Sequence, residues 1–331
     1  MILVTGGAGY IGSQCTLALL EQGYDVTVFD NLSTGHLKTI ERLKNYGKIN
    51  FFKGDLTNPC DISKLLETTK IDAVIHFAAL SQVGESVVNP QKYYINNVIG
   101  TLNLVNEMLK NNVKKIVFSS TAAVYGNPQK VPIDEKQTLA PINPYGKTKL
   151  IIENFLDDYD KAYGLKSVRL RYFNAAGADS KCRTGENHMP ETHLIPNVLN
   201  ADEKQVFKLF GDDYNTKDGT CIRDYINVED LADAHLKALK YLFDGGDTNV
   251  FNLGTNQGSS VKEIFKLCEE IKGCKIPLEI CPKREGDPEI LIADNSKAKR
   301  ILNWVPKKTL KDSIQSAYNY IKSKENQLLS K

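Results

Sequence analysis

Met1-Ile-Leu-Val-Thr-Gly-Gly-Ala-Gly-Tyr-Ile-Gly12 opens the chain and decides how the rest is read. Ile2, Leu3 and Val4 make a short apolar run suited to a strand buried on both faces, and Gly6, Gly9 and Gly12 supply the turn after it. The spacing is G-x-x-G-x-x-G rather than G-x-G-x-x-G. In either form the glycines permit a tight turn, close approach of backbone N–H groups to a pyrophosphate, and close packing of the next helix on the sheet. Ile11, Cys15, Leu19 and Leu20 mark that helix, and Gly23 stops it. A glycine turn alone arises by chance, so its context decides. Asp25-Val-Thr-Val-Phe-Asp30 reads as a second strand ending in an acid 18 positions after Gly12, near the spacing of the residue that bonds an adenosine ribose. A carboxylate there accepts from both ribose hydroxyls and repels a 2′-phosphate, which predicts NAD rather than NADP.

The 331 residues suit a cofactor domain plus a smaller lobe. Lys and Arg number 42 against 40 Asp and Glu, so nothing in the charge balance points to nucleic acid or an acidic membrane surface. The seven cysteines never occur as Cys-x-x-Cys and are expected to be reduced thiols of a cytoplasmic protein. The first strand starts at residue 2 and no apolar run approaches membrane-spanning length, so neither a leader nor a membrane span is expected. Asn31-Leu-Ser33 matches a glycosylation sequon by accident in such a chain.

Further strand-like runs stand at 49–53, 71–76, 114–119 and 167–171, with longer amphipathic segments between them. This alternation predicts an α/β fold, a Rossmann-type doubly wound parallel sheet, with ligands at the carboxyl ends of its strands. Asp55 and Leu56 follow the third run, and Phe77, Ala78 and Ala79 follow the fourth. A helix is expected from about Pro90 to Asn111, with Asn96 and Asn97 near its start, and the fifth run ends in Ser119-Ser120-Thr121-Ala122-Ala123-Val124-Tyr125. Later helices are expected at 230–243, 260–272 and 310–323, and Asn249-Val-Phe-Asn-Leu253 could return to the sheet.

Asn143-Pro144-Tyr145-Gly146-Lys147-Thr148-Lys149 opens a helix, with Pro144 suited to its first turn. Gly146-Lys147-Thr148 is not a phosphate loop, because the glycine required five positions earlier is Pro141. Tyr145 and Lys149, four apart, share a helix face. A tyrosine titrates near ~10 and is a poor base at neutral pH. An ammonium nearby, with a positive nicotinamide ring, favours the phenolate. Thr121 could pass a proton between Tyr145 and a substrate hydroxyl.

Thr5-Gly-Gly-Ala-Gly-Tyr-Ile-Gly12, Asp30-Asn-Leu-Ser33, His76-Phe-Ala-Ala79, Val83-Gly-Glu-Ser86, Ser119-Ser-Thr-Ala-Ala-Val-Tyr-Gly126 and Pro144-Tyr-Gly-Lys-Thr-Lys149 occur in this order. Arg171-Tyr-Phe-Asn174, Leu209-Phe-Gly-Asp212, Asp218-Gly-Thr220, Arg223-Asp-Tyr225, Val228-Glu-Asp-Leu231 and Arg284-Glu-Gly-Asp287 follow. In that combination nearly the whole chain resembles the extended short-chain dehydrogenase/reductase family, and within it the C4 epimerases of UDP-hexoses. The resemblance implies an NAD domain over 1–173, rejoined by about 227–256, and a smaller UDP-sugar lobe over 174–331. It implies interconversion of UDP-glucose and UDP-galactose through a 4-keto sugar, with Tyr145, Lys149 and Thr121 catalytic.

Cofactor contacts are implied for Gly6, Gly9, Tyr10, Ile11, Gly12, Asp30, Asn31, Ser33, Asp55, Leu56, Phe77, Ala78, Ala79, Asn96, Ser119, Tyr145, Lys149, Tyr172 and Phe173. Substrate contacts are implied for Thr121, Tyr145, Asn174, His193, Leu194, Phe210, Arg223, Tyr225, Arg284, Asp287 and Leu291. Arg223 and Arg284 would clamp the diphosphate and Asp287 the uridine ribose. The resemblance also implies a homodimer.

Two positions depart from the pattern. Ser81 stands where many relatives have a lysine that helps hold NAD. Leu291 stands where a large tyrosine restricts relatives to plain hexoses, so turnover of UDP-N-acetylglucosamine and UDP-N-acetylgalactosamine is expected. His188 and His193 lack a third ligand at helical spacing, and no metal is expected.

Two alternatives stand beside the epimerase. Dehydratases of this fold carry an Asp-Glu pair after the threonine, and decarboxylases a glutamate at the second position, whereas Ala122 and Ala123 carry methyl groups that move no protons. A non-catalytic NAD-binding regulator would keep the glycine turn and lose Tyr145 or Lys149, and both are present.

Overall fold

The computed structural model describes residues 1–188, 190–284 and 288–323. Seven parallel strands form its main sheet: β1 (Ile2–Thr5), β2 (Val26–Asp30), β3 (Ile49–Lys53), β4 (Ala73–His76), β5 (Lys115–Ser119), β6 (Lys166–Tyr172) and β7 (Asn249–Leu253). Their spatial order is β7-β6-β5-β4-β1-β2-β3. The chain first adds strands on one side of β1, then returns with β4 on the other, and this reversal opens a crevice at the carboxyl ends of β1 and β4. Thr5 is level with Phe29 and His76 there, so the residues just past each strand converge.

β1 is buried at all four positions, as an apolar run without alternation requires. Gly6 follows it at φ +72, a conformation in which a side chain's Cβ would lie 2.6 Å from the Ala78 nitrogen. Gly12 lies inside the next helix, where a Cβ would stand 2.1 Å from the Gly6 carbonyl oxygen. The turn therefore folds back onto its own helix and onto the segment after β4 at a distance only hydrogen allows.

Helices cover both faces. On one, Tyr10–Glu21 and Val228–Phe243 bury Leu17, Leu19, Leu231 and Leu239 with Trp304. On the other, Pro59–Thr68, Gly100–Lys110 and Pro144–Tyr163 bury Leu65, Leu104 and Ile152 against Phe118. Burying each such aliphatic side chain stabilises the fold by roughly 1.5–3 kcal/mol. Leu104 is wholly buried, and its truncation to alanine would cost about 2–5 kcal/mol. A separate core gathers Ala176, Val198, Leu209, Ile264 and Ile314 beneath the helices Leu194–Asn200, Val261–Lys272 and Leu310–Lys322. Capping boxes start the last two, Ser260 with Glu263 and Thr309 with Asp312.

The long helix expected from Pro90 departs from regularity. Pro90–Tyr93 is α-helical, Tyr94–Ile99 is a widened π stretch, and the α-helix resumes at Gly100. Such a stretch within a helix often marks a functional site, and this one carries Asn96 and Asn97.

Candidate functional site

The glycine turn, the ends of β2 and β3, the segment after β4 and the first turn of the helix Pro144–Tyr163 enclose one cleft. Gly6, Gly9, Tyr10, Ile11 and Gly12 line it, as do Asp30, Asn31, Ser33, Asp55 and Leu56. Phe77, Ala78, Ala79, Asn96, Tyr145, Lys149 and Tyr172 complete the wall from the predicted set, and Ser81 and His193 also reach it. Ser119 and Phe173 lie behind the wall, buried and not among its lining residues.

Asp30 is oriented by its own turn. One carboxylate oxygen accepts from the Ala8 N–H at 3.0 Å and the other from the Leu32 N–H at 2.8 Å. Burial raises its pKa, and these two bonds oppose the rise. Asp55 goes the other way. Burial pushes its pKa up, but bonds from Asn31 and Thr57 outweigh that and leave it below the usual carboxylate range. These carboxylates and the glycine cradle, where a Cβ cannot fit, suit the adenosine and pyrophosphate of a dinucleotide.

At the other end of the cleft, Asn143 caps the helix that carries the tyrosine by accepting from the Gly146 N–H at 2.8 Å. Tyr145 is buried beside Thr121. Burial raises its pKa to about 12, with the Thr121 hydroxyl opposing the rise. One turn on, Lys149 donates to the Ser119 carbonyl at 2.8 Å. Burial pulls its ammonium down to about 7, and Glu153 resists that shift. The expected lowering of the Tyr145 pKa is thus not produced by the protein groups around it, because the lysine is engaged with the end of β5 and burial dominates.

A polar framework unseen in the sequence holds these groups. Asn97, on the π stretch, accepts from the Leu80 N–H at 2.8 Å and donates to the Leu80 carbonyl at 3.0 Å and to Thr148 at 3.1 Å. Thr101 gives its one proton to the Asn97 carbonyl, so His76 Nε2 must donate to Thr101 while Nδ1 accepts from Thr5 at 2.6 Å. His235 Nδ1 donates to the Leu231 carbonyl, which leaves Nε2 to accept from Ser119 at 2.8 Å. Ser119 thus meets His235 through its hydroxyl and Lys149 through its carbonyl.

Burial holds both histidines neutral, with His76 lowered to about 3 and His235 to about 4. Between the unfolded value of about 6.5 and these values, the unfolded chain binds protons that the native chain refuses, so stability falls as pH falls. Each should cost on the order of 2–3 kcal/mol by about pH 4.5. Denaturant melts at pH 7 and about 4.5 check this: His76→Gln should flatten the dependence, and an unchanged slope would refute the buried neutral histidine.

Behind Thr121, the Ser120 hydroxyl donates to Glu153 at 2.5 Å. Arg171 at the end of β6 grips the same carboxylate through Nε at 3.0 Å and Nη2 at 2.5 Å, and donates from Nη1 to the Tyr125 hydroxyl at 3.0 Å. Tyr125 donates onward to Asn252 of β7 at 2.7 Å. All five residues are buried. Ser120, Tyr125 and Arg171 stand in quoted motifs, but nothing in the sequence marks Glu153 as the acid that joins them.

Apart from Thr121, Tyr145 and His193, the predicted substrate residues form small groups outside the residues that line the cleft. Asn174 pairs with Tyr225 in a two-stranded parallel sheet. Arg223 is level with Leu291 and donates to the Ile222 carbonyl at 2.9 Å. The Arg284 guanidinium stacks on Phe210, 4.0 Å from its centroid. Between Arg223 and Tyr225 lies Asp224, unremarked in the sequence, whose carboxylate accepts from Thr255, Asn256 and Ala293 backbone N–H groups. Leu194 begins a helix at residue 194, whereas Asp287 lies outside the described residues.

Residues 3–317 match the family model described as GDP-mannose 4,6 dehydratase. The UDP-glucose 4-epimerase of Halalkalibacterium halodurans is 51% identical over 324 residues, 97% of this chain and 95% of that protein. A crystal structure of UDP-glucose 4-epimerase from Brucella ovis in complex with NAD superposes with a TM-score of 0.92 at 44% identity, covering 96% of this chain and 97% of that one. The UDP-Glc/GlcNAc 4-epimerase of Campylobacter jejuni superposes with a TM-score of 0.86 at 43% identity, over 98% and 99% of the two chains.

Proposed function

Since this chain belongs to the UDP-glucose 4-epimerase family, and is thereby an NAD-dependent isomerase of UDP-glucose and UDP-galactose, we propose that Tyr145 is its proton-transfer group and Lys149 and Thr121 its supports. The observation that carries this assignment is the buried Tyr145–Thr121 pair, one helical turn from Lys149, in the same cleft as the glycine turn and Asp30.

NAD supplies a hydride acceptor, and then the donor, for C4 of the sugar, which passes through a 4-keto form and returns with C4 inverted and no net redox change. Tyr145, as phenolate, takes the C4 hydroxyl proton, directly or through Thr121, and returns it after the keto sugar has turned its other face. Lys149 holds the nicotinamide ribose. Burial alone leaves the phenol too weak a base, and a positive nicotinamide ring held in this cleft would supply the charge that favours the phenolate. Phe210, Arg223 and Arg284 hold the UDP portion from the lobe 174–331, the arginines by the paired geometry that suits phosphate oxygens. Dehydration needs a further acid and base, and Ala122 and Ala123 provide neither.

The purified protein should convert UDP-galactose to UDP-glucose with no NAD added, as read by a coupled dehydrogenase. If no product forms even with NAD supplied, this assignment is wrong. Leucine stands at 291 in place of the large tyrosine of relatives restricted to plain hexoses, so UDP-N-acetylglucosamine should turn over too; none at saturating substrate would refute that. A homodimer in the cytoplasm is the expected working form. Ile95, Ile99 and Ile151 expose large apolar side chains on the two helices that would pair, and a monomer by light scattering would refute it.

A further inference from the structure

His188 and His193 line the cleft, and Asn187 is tied to the cofactor side by His36, whose Nε2 lies 2.8 Å from the Asn187 carbonyl. Helical spacing offers the two histidines no third ligand, but folding brings Glu186 and Glu191 to them. Among the described residues these four place one ligand atom each within 4.8 Å of all the others. We propose that Glu186, His188, Glu191 and His193 form a binding site for a divalent cation of the zinc type.

The histidine geometry carries the argument. His188 Nδ1 lies 3.1 Å from the Pro190 carbonyl, which can only accept, so Nδ1 carries a proton. Nε2 then points at a Glu186 oxygen 3.0 Å away. A ring lone pair and a carboxylate lone pair face each other stably only with positive charge between them, a proton or a metal ion. His193 Nδ1 contacts the same oxygen, so both rings converge on Glu186. Metal-bound histidines characteristically give their second N–H to a backbone carbonyl, as His188 does.

The spacing also fits. Tetrahedral bonds of about 2.0–2.1 Å put neighbouring ligand atoms about 3.3 Å apart. Glu191 Oε1 stands 3.8 Å from His188 Nε2 and 4.0 Å from His193 Nδ1, and its carboxylate is fixed by the Thr192 and His193 N–H groups at 2.7 and 2.8 Å. The two rings are nearly perpendicular, at 84°, so their donors approach from different directions. Two imidazoles and two carboxylates favour zinc over magnesium or calcium, which take oxygen ligands, and one divalent ion balances both carboxylates.

The test is titration of the chelator-treated full-length protein with Zn²⁺ by calorimetry and with Co²⁺ by absorption. Uptake of one equivalent is expected, with the visible spectrum of four-coordinate cobalt and no thiolate charge-transfer band. His188→Gln and Glu191→Gln should each weaken binding by more than the roughly 10–100-fold lost with an outer partner. Circular dichroism checks their folding, and Glu186→Gln replaces either variant that does not fold. No uptake by the wild type, a thiolate band, or unchanged affinity in the folded variants would overturn the site. None of these readouts requires epimerase turnover, so the site and the activity fail independently.

Discussion

Replacing Tyr145 with phenylalanine is expected to lower kcat for UDP-galactose by about 10²–10⁴-fold, the range that a positioned proton-transfer group contributes, while NAD still copurifies. The ring occupies a buried position beside Thr121, and phenylalanine keeps the packing while removing the atom that exchanges the proton. Thr121 cannot substitute, because a hydroxyl carries a proton between two groups and does not hold it as the base. The pattern to look for is lost turnover with KM and bound NAD little changed. A variant retaining more than a tenth of the rate would require another base, and equal loss of NAD would make the residue a cofactor anchor instead.

Glu153→Ala should be the most destabilising single change around the site, at about 3–5 kcal/mol, the cost of leaving one member of a buried ion pair unpartnered. Arg171 would keep its charge at 4% exposure with its carboxylate gone, and Ser120 would lose its acceptor. The consequence reaches the chemistry through Lys149, whose ammonium Glu153 helps retain. Without that carboxylate the lysine pKa falls further below about 7, so the activity of whatever enzyme folds should shift in pH dependence, which a purely structural loss would not produce. The double variant Glu153→Leu, Arg171→Met should melt higher than Glu153→Ala, because no charge is left unpaired. A double variant less stable than the single one would refute the account of the pair.

What the sequence disclosed was local in kind. The turn at Gly6–Gly12 is legible because close backbone approach restricts residue type, and Asp30 because it ends a strand at a fixed spacing from that turn. Asn249–Leu253 could be read as a strand returning to the sheet, as β7 does, and Tyr145 with Lys149 as a pair one helical turn apart. The π stretch at Tyr94–Ile99 was not, since its composition differs little from the helix around it. Glu153 and Arg171 are 18 residues apart and His76 and Thr101 are 25 apart, and a single charged or hydroxyl residue says nothing of a partner that only the sheet brings near. Glu186, His188, Glu191 and His193 were hidden for a related reason: they lie on no helix that spaces them, and only folding brings their ligand atoms within 4.8 Å of one another.

The central claim is that hydrogen leaves C4 as hydride and returns to the same carbon, with Tyr145 moving only the hydroxyl proton. Deuterium placed at C4 of UDP-galactose tests it most directly when followed through turnover in ordinary water by mass spectrometry and NMR. Essentially all of the UDP-glucose formed should carry deuterium at C4. Product carrying solvent hydrogen at C4 would contradict the account, since it would mean that the carbon loses a proton to a base that exchanges with water.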